Sequence, residues 1–434
     1  MTPGGRLAAA IEVFADIEAR HRPAAEALKD YGLAHRFAGS KDRAAVAAYV
    51  FDALRRRASS AWLMGAETPR AIVLGALSRA RGLDVEAIAA LCDGEAHAPE
   101  PLSEQERAAL TAQDFSAASP AVLGDFPEWL SESLAAVFPD TLAVEMQAMA
   151  ARAPLDIRVN TLRSTREKAM NALSHLDPAP ALYAPQGLRL PLGPDGRGPA
   201  LSGEPAFIKG LVEVQDEGSQ LAAILAGAKP GEQVLDLCAG GGGKTLALAA
   251  MMDNRGQIYA SDTEGRRLMG LYPRLGKSGA RNVQLRAPRR GVPPLDDLKG
   301  RCDLVLVDAP CTGTGTWRRN PDAKWRVRPG ALEQRIKEQD EVLQQAALYV
   351  KPGGRIVYVT CSLLQEENEA RVAHFLGSRD DFVLRPPQEV AKAAGLEVLV
   401  PFADPSGTGL RLSPLRTGTD GFFIAELDHV AKKP

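Results

Sequence analysis

The sequence Val234-Leu-Asp-Leu-Cys-Ala-Gly-Gly-Gly-Gly-Lys-Thr245 joins an apolar run to a carboxylate and a cluster of four glycines. Such an apolar run is typical of a strand buried in a parallel sheet. Glycines let the backbone pass close to a ligand, and Leu246-Ala-Leu-Ala-Ala-Met-Met252 predicts a helix whose first N–H groups lack partners. The segment therefore predicts a buried strand, a cofactor-binding glycine turn and a helix.

Spacing separates this glycine turn from two common nucleotide-binding loops. A phosphate-binding loop ending at Thr245 requires its first glycine where Cys238 stands. A dinucleotide fingerprint started from Gly240 or Gly241 fails at Thr245 or Leu246, which would have to be Gly or Ala. A short glycine turn instead suits a ligand with an amino-acid end and a nucleoside, such as S-adenosylmethionine.

Asp262 closes the next strand-like run, Gln257-Ile-Tyr-Ala-Ser-Asp262. It lies about 20 residues beyond the glycines, where a carboxylate is expected to bind the two ribose hydroxyls of a nucleoside. A dehydrogenase would share this feature, so Asp262 supports a nucleoside ligand without choosing its class.

Composition limits the kinds of partner and metal site. A net charge of −2 over 434 residues attracts no polyanion globally, so RNA binding would depend on local basic patches. Five widely spaced cysteines without a Cys-x-x-Cys pair, and six scattered histidines, predict reduced thiols and no metal site. With no apolar run long enough to span a membrane, we expect a cytoplasmic protein. We also expect a monomer.

The hydrophobic pattern changes twice along the chain. Residues 1–125 are Ala-rich with helical periodicity, and residues 126–210 mix short helices with strands at Leu155–Leu162 and Gly187–Pro191. From residue 211 to 434, strands and helices alternate, which predicts a Rossmann-like, doubly wound α/β domain with ligands at the carboxyl ends of its strands. We expect three domains with these boundaries: helical, small α+β, and α/β.

Two later strands end in thiols. Asp303-Leu-Val-Leu-Val-Asp-Ala-Pro-Cys311 leads into Asp308 and Cys311, and Gly354-Arg-Ile-Val-Tyr-Val-Thr-Cys-Ser362 leads into Cys361. A single cysteine after a strand is equally consistent with a small buried hydrophobe. Two thiols and a carboxylate beside a cofactor turn fit methylation of a pyrimidine at carbon 5, in which a thiolate adds at carbon 6 and a base later removes a proton.

Several ordered motifs resemble the Sun-type (RsmB-like) RNA 5-methylcytosine methyltransferases, over roughly two thirds of the chain. They are Asp308-Ala-Pro-Cys311 with Thr312-Gly-Thr-Gly, Arg318-Arg-Asn-Pro-Asp322, Lys324-Trp325, Thr360-Cys-Ser362, Glu366-Glu-Asn-Glu369, Asp236-Leu-Cys-Ala, Arg158-Val-Asn-Thr161, Val214-Gln-Asp216 and Asp420-Gly-Phe-Phe423. The helical region, with Asp42-Arg43-Ala44, more loosely resembles the NusB-like RNA-binding domain of bacterial members. The resemblance implies a class I methyltransferase acting on RNA, with ribosomal RNA favoured over transfer RNA.

The resemblance also implies a role for each residue of the site. Cys361 would be the nucleophile, Cys311 would assist release of the methylated base, and Asp308 would contact the cytosine edge and the cofactor. The residues alone do not choose between the thiols, because DNA cytosine methyltransferases use the cysteine of a Pro-Cys motif. Asp262, supported by Arg267, would hold the cofactor ribose. The cofactor would be lined by Cys238, Ala239, Gly240, Gly241, Gly242, Gly243 and Lys244.

Two departures from the family pattern leave alternatives open. Gly240-Gly241 stands where the family has Ala-Pro, and Arg286-Ala-Pro-Arg-Arg290 lacks the family's adenine-contacting carboxylate. An RNA-binding assembly factor with little or no turnover is therefore the alternative function, and a DNA cytosine methyltransferase is a third.

Basic and aromatic residues are candidates for RNA contact. Arg158, Asn160 and the run Arg55-Arg56-Arg57 are weaker candidates, since exposure on a strand or at a helix end explains them as well. Trp317 or Trp325 would stack on a flipped cytosine or pack in a core. The residues expected in loops at the rim of the crevice are Arg286, Arg289, Arg290, Arg318, Arg319, Lys324 and Arg326.

Overall fold

The computed structural model describes residues 1–193, 196–288 and 295–430. The chain divides into two compact units. A helical unit comprises Met1–Arg152 together with Trp317–Pro329, and a second unit comprises Ala153–Thr316 and the chain from Gly330 onward. The predicted boundaries at residues 125 and 210 differ from this division, because helices continue to Ala150 and the segment from Trp317 to Pro329 packs with them.

Alanine-rich amphipathic helices build the helical unit around a core that includes Leu7, Phe14, Val50 and Leu74. Side-chain caps begin several of them, as where the Thr2 hydroxyl accepts the Gly5 N–H at 3.0 Å. The α-helices are Pro3–Arg20, Ala24–Ala34, Ser40–Arg55, Arg57–Met64, Pro69–Arg81, Val85–Ala89, Glu104–Ala112, Pro120–Gly124, Ser131–Val137, Leu142–Ala150 and Pro321–Arg326, with a 3-10 turn at Glu128–Leu130.

The second unit contains a small antiparallel sheet. Its strands are β1 (Leu155–Val159), β2 (Ala179–Pro180), β3 (Gly187–Leu190) and β4 (Val212–Val214), in the order β2-β3-β1-β4. Apolar side chains such as Ile157, Leu188 and Val212 form its core with the helix Arg166–Ala172. The strands β1 and β3 were predicted, whereas β4 lies beyond the predicted end of the small domain at residue 210.

A larger mixed sheet forms the rest of this unit. Its strands are β5 (Gln233–Asp236), β6 (Gln257–Ser261), β7 (Val283–Arg286), β8 (Cys302–Asp308), β9 (Val350–Thr360), β10 (Phe382–Arg385), β11 (Leu410–Leu412) and β12 (Phe422–His429). The order is β10-β12-β9-β8-β5-β6-β7, with β11 paired to β12. Strands β7, β6, β5, β8 and β9 run parallel, and β12 is antiparallel to β9. The Rossmann-like fold is thus confirmed.

Helices cover both faces of this sheet. Along β8, Leu304 and Leu306 pack on one face, and Val305 and Val307 pack on the other. This two-sided burial is why the parallel strands read as continuous apolar runs rather than as an alternation. The helices of this unit are Arg166–Ala172, Pro205–Ile208, Glu217–Leu225, Gly243–Met251, Gly265–Met269, Leu271–Ser278, Pro329–Tyr349, Glu369–Gly377, Pro387–Ala393 and Pro414–Thr417. Its 3-10 turns are Ser174–Leu176, Leu201–Gly203, Asp296–Leu298, Thr314–Thr316, Gln365–Glu367 and Glu397–Phe402.

The strand order brings the predicted site segments together. The strands that end at Asp236, Asp308 and Thr360 are neighbours, in the order β5-β8-β9. The register pairs Asp236 with Leu306 and Asp308 with Val359, so all three strands end at the same edge of the sheet. This order fits the doubly wound plan predicted for residues 211–434. Among the described residues, no helix is long and apolar enough to cross a membrane.

Candidate functional site

The glycine turn uses backbone conformations that favour glycine. Gly240 has φ 52° and Gly242 has φ 78°, both in the left-handed region. A Cβ on Gly242 would lie 2.3 Å from a methyl carbon of Leu271, so no larger residue fits. Gly242 is therefore buried against Leu271, whereas Gly240, Gly241 and Gly243 line the adjoining cavity.

Asp262 is fixed beside this turn by two backbone N–H groups. Its carboxylate accepts Gly240 N–H at 2.9 Å and Glu264 N–H at 2.8 Å. The side chain of Arg267 is 58% exposed, and its guanidinium lies 3.8 Å from the same carboxylate. The geometry thus places the predicted ribose-binding carboxylate and its arginine at the glycine turn.

Asp236 is the last residue of β5 and precedes the glycine turn. Its carboxylate is fully buried and accepts the Thr245 hydroxyl at 2.6 Å. Burial raises the pKa of Asp236 to about 7, against the lowering effect of that hydrogen bond. One carboxylate oxygen of Asp236 has no hydrogen-bond partner among the described residues.

Lys244 connects the glycine turn to β8. Its ammonium lies 2.7 Å from the carboxylate of Asp308, and its charge sits 5.2 Å above the ring of Phe422. Burial disfavours the charged ammonium, but the charge and hydrogen bond of Asp308 outweigh burial and raise the pKa of Lys244. Lys244 therefore remains a cation in the cavity.

The two predicted thiols meet at the ends of β8 and β9. The sulfur atoms of Cys311 and Cys361 lie 3.4 Å apart, and both side chains are partly exposed. The hydrogen bond to Cys361, followed by burial and by the charge that Cys361 can carry, raises the pKa of Cys311 well above its usual value. Cys311 is therefore a protonated thiol as long as Cys361 has formed no covalent bond.

Glu367 holds the two cysteine-bearing loops together. Its fully buried carboxylate accepts the Thr312 N–H at 2.8 Å and the Gln339 amide at 3.0 Å. The same carboxylate accepts the hydroxyls of Thr312 and Ser362, which adjoin the two cysteines in the chain. The sequence motif contained Glu367, but nothing in the sequence showed that it bridges both loops.

One cavity of about 740 Å³ collects these groups. Helix Pro329–Tyr349 contributes Arg335, Glu338 and Val342 to its wall, and Leu271–Ser278 contributes Arg274. Arg274 also donates a hydrogen bond to the Gly241 carbonyl. None of these four side chains was predicted, because a helix face carries no motif. The predicted residues that line the cavity are Cys238, Ala239, Gly240, Gly241, Gly243, Lys244, Asp262, Arg267, Asp308, Cys311 and Cys361.

The predicted basic rim is wrong for two of its residues. Arg318 and Lys324 belong to the helical unit and are 4% and 2% exposed, and burial lowers the pKa of Lys324 to about 7. Arg286 pairs with Asp297 at 2.8 Å, and Arg326 pairs with Asp322 at 3.2 Å. Arg319 is half-buried in the helical unit, and Arg289 and Arg290 lie outside the described residues.

Other candidates for RNA contact are buried or paired within their own unit. Trp317 is buried, and the Trp325 indole donates to the Leu54 carbonyl at 2.7 Å. Arg158 is buried against Gln215 at 2.7 Å, and burial lowers its pKa to about 10. Arg55 donates to the Arg318 carbonyl at 2.6 Å. Arg56 lies 3.4 Å from Asp125, and Arg57 lies 2.8 Å from Glu18.

Comparison with known protein families gives two matches. Residues 222–428 match the family model described as 16S rRNA methyltransferase RsmB/F. Residues 126–193 match a second model, the ferredoxin-like domain of RsmF/B-like methyltransferases.

Two named relatives illustrate the similarity. The chain is 34% identical over 308 residues to "Probable ribosomal RNA small subunit methyltransferase B" of Synechocystis sp., covering 70% of this chain and 66% of that protein. It is 32% identical over 327 residues to ribosomal RNA small subunit methyltransferase B of Sodalis glossinidius, covering 73% and 70% respectively. The matched region thus spans about two thirds of the length of these relatives.

Solved structures show a similar fold. The crystal structure of PH0851 superposes with a TM-score of 0.70 at 26% identity, covering 98% of this chain and 99% of PH0851. The structure of NSun6 from Pyrococcus horikoshii with SFG, an S-adenosylmethionine analogue, superposes with a TM-score of 0.60 at 24% identity. That comparison covers 71% of this chain and all of the NSun6 chain, and it shows a similar fold.

Proposed function

The chain belongs to the RsmB/F methyltransferase family, and on that premise we propose that it methylates carbon 5 of a cytosine in RNA, using S-adenosylmethionine. The relatives' names favour small-subunit ribosomal RNA as the substrate. One observation carries the proposal: two thiols with sulfur atoms 3.4 Å apart share a cavity with the glycine turn and the Lys244–Asp308 pair.

The cavity fits the proposed cofactor, which supplies a methyl group on a positively charged sulfur. The left-handed turn at Gly240 leaves room that a Cβ would reduce, since that Cβ would lie 3.1 Å from the Arg267 guanidinium. Asp262 stands at the turn to accept ribose hydroxyls. The carboxylates of Asp262 and Asp308 provide negative charge that complements a cationic sulfur.

Cys361 is the proposed nucleophile. Its thiolate would form a bond to carbon 6 of cytosine, and the electron pair of the carbon 5–carbon 6 double bond would be delocalised over the ring. Carbon 5 then becomes nucleophilic enough to attack the methyl group. The raised pKa of Cys311 keeps that neighbouring group a thiol at this stage, which favours Cys361 over Cys311 for the first step.

Lys244 is proposed to stabilise the negative charge that develops on the ring, and Asp308 is proposed to orient the cytosine. Asp308 ends β8 in the cavity, with its side chain partly exposed, so it can hydrogen-bond the polar edge of a cytosine. The Lys244 ammonium, 2.7 Å from that carboxylate, places a positive charge close to the developing negative charge. In a cavity that excludes water, fixed charges of this kind lower the barrier more than they would in bulk solvent.

Cys311 is the proposed base for release. After methylation, the proton on carbon 5 must leave so that the double bond re-forms and the Cys361 thiolate departs from carbon 6. Two of the three largest causes that raise the Cys311 pKa come from Cys361, namely its hydrogen bond and its charge. Both causes vanish once Cys361 is bonded to carbon 6 of the cytosine. Formation of the adduct therefore makes Cys311 easier to deprotonate.

Methyl transfer from radiolabelled S-adenosylmethionine tests the proposal. Unmodified small-subunit rRNA, a transfer RNA and a cytosine-containing DNA duplex are supplied separately to the wild-type protein and to Cys361→Ala. We expect label in the rRNA as 5-methylcytosine with the wild-type protein and none with Cys361→Ala. Full turnover by Cys361→Ala would contradict the assigned nucleophile, and transfer only to DNA would contradict the RNA substrate.

A further inference from the structure

Three basic side chains converge at a second cavity of the same unit. This cavity, of about 650 Å³, is lined by Leu162, Arg163, Ile208, Lys209, Leu211 and Lys277. Three of these six residues are basic and none is acidic. We name Arg163, Lys209 and Lys277 the cation cradle. They come from three separate segments: the turn after β1, the turn before β4, and the end of helix Leu271–Ser278.

A buried amide holds the three segments together. Asn160 is 3% exposed, and its amide nitrogen donates to the Gly210 carbonyl at 2.9 Å and the Ser278 carbonyl at 2.7 Å. Its amide oxygen accepts the Leu162 N–H at 3.2 Å. Each residue that Asn160 bonds is a chain neighbour of one cation in the cradle. Asn160 therefore fixes the three backbone segments that carry the cations relative to one another.

Two glycines permit this close assembly. Gly210 has φ 69°, and a Cβ there would lie 2.3 Å from the Lys277 carbonyl oxygen. Gly279 has φ 79°, and the Nε atom of Arg163 lies 3.2 Å from the position that a Cβ would take. Both glycines are placed where a side chain would separate the cations.

The positive charge of the cradle is largely uncompensated. Within residues 1–193, 196–288 and 295–430, neither Arg163 nor Lys209 forms an ion pair, and both side chains are exposed. Lys277 lies 3.8 Å from Glu213, but that buried carboxylate is shared with Arg274 at 2.9 Å. Such a concentration of charge on a chain with net charge −2 attracts a polyanion locally.

The cradle is close to the methyl-transfer cavity along one helix. Arg274 lines that cavity and donates to the Gly241 carbonyl, and Lys277 follows it by three residues on helix Leu271–Ser278. Residues three apart lie on the same face of a helix, displaced by about 4.5 Å along its axis. One short helix therefore carries a residue of each cavity.

We propose that the cation cradle binds a backbone phosphate of the substrate RNA, on the strand whose cytosine enters the methyl-transfer cavity. This inference rests on the proposed function, and it names the contact that positions the RNA. Contacts of this kind set the register of the strand without reading its sequence. The cradle supplies part of the local positive surface that the near-neutral chain otherwise lacks.

The double variant Arg163→Gln/Lys209→Gln tests the proposal. Binding of unmodified small-subunit rRNA is measured by fluorescence anisotropy without cofactor at several salt concentrations, and methylation is measured at varied RNA concentration. Loss of the contact to one phosphate reduces the slope of log affinity against log salt by about 0.7 for a single strand. We expect a KM for RNA raised several-fold, with kcat at saturating RNA and affinity for S-adenosylmethionine unchanged.

A matched control is Lys229→Gln/Lys392→Gln, which removes the same charge from two exposed lysines of the same unit outside the cradle. The inference is overturned if the cradle variant and the control show the same salt slope and the same KM. It is also overturned if the cradle variant is impaired on ribosomal particles but not on naked RNA, since that result indicates an acidic protein partner. If the wild-type protein methylates no RNA, the proposed function fails, and the anisotropy measurement still tests the phosphate contact.

Discussion

The sulfur atoms of Cys311 and Cys361 lie 3.4 Å apart, although 50 residues separate them in the chain. At this distance, the protonation of Cys311 depends on the state of Cys361, as the raised pKa of Cys311 indicates. The pair can therefore divide nucleophile and base between two side chains of the same chemical type.

Cys311→Ala is expected to trap a covalent protein–RNA adduct. Without a base at this position, the carbon 5 proton stays on the methylated ring, and the bond from Cys361 to carbon 6 cannot break. Denaturing gel electrophoresis with radiolabelled methyl groups would show a slower band that contains protein and label. Cys92→Ala, at a buried thiol of the helical unit, should show no such band. An equal adduct level in both variants would refute the release role.

Glu367→Gln is expected to lower both stability and kcat. An amide cannot accept from all of the donors that surround this buried carboxylate, and leaving one buried donor unpaired costs about 1–3 kcal/mol. Because Glu367 connects the loops of both thiols, we expect a larger loss in kcat than in cofactor affinity. Urea unfolding and single-turnover methylation measure the two effects, with the exposed Glu397→Gln as control. Wild-type kcat in the Glu367 variant would exclude a positioning role.

Asp236 is expected to make stability fall as pH rises. Its pKa is raised from 3.8 to about 7 in the folded protein, so between these values the native state holds a proton that the unfolded state has released. The free energy of unfolding then decreases with rising pH, by at most about 4 kcal/mol across the window. Asp236→Asn removes this contribution. Chemical denaturation from pH 4 to 7 should show a smaller decline for the variant, and parallel curves would rule the effect out.

Gly242→Ala is expected to disrupt the glycine turn. A non-glycine residue at φ 78° costs about 1–3 kcal/mol, and the new Cβ would also meet Leu271 at 2.3 Å. Calorimetry should therefore show weaker S-adenosylmethionine binding and thermal unfolding a lower Tm. Gly377→Ala, in a helix with no atom within 4 Å of the new Cβ, should be neutral or slightly stabilising. Equal behaviour of the two variants would contradict the proposed geometry.

Local sequence patterns were sufficient to predict the parallel strands and the glycine turn. The predicted run Gln257–Asp262 begins with β6 and ends one residue beyond it, and the helix after the glycine turn begins at Gly243. Four short strands were missed: Ala179–Pro180, Val212–Val214, Phe382–Arg385 and Leu410–Leu412. Strands of two to four residues contain too little alternation to stand out.

The positions of the basic side chains, in contrast, were not predictable from the sequence. Arg318 and Lys324 were expected to face RNA but are buried in the helical unit, whereas Arg163, Lys209 and Lys277 were not singled out. Charge in a sequence does not reveal which side chains fold inward or which ones meet. Asn160 brings the cradle together through carbonyl groups 50 and 118 residues away, and backbone acceptors leave no mark in the sequence.

Apolar runs, glycine positions and motif order, all read along the chain, were sufficient to predict the α/β class, the glycine turn and the two thiols that follow strands. Those features depend on backbone sterics and on periodic burial, which act over neighbouring residues. Folding in three dimensions set the 3.4 Å separation of the sulfur atoms, the bridge through Glu367 and the assembly of the cation cradle. Each of these contacts joins segments at least 50 residues apart, so each depends on strand order and side-chain packing, which no local pattern encodes.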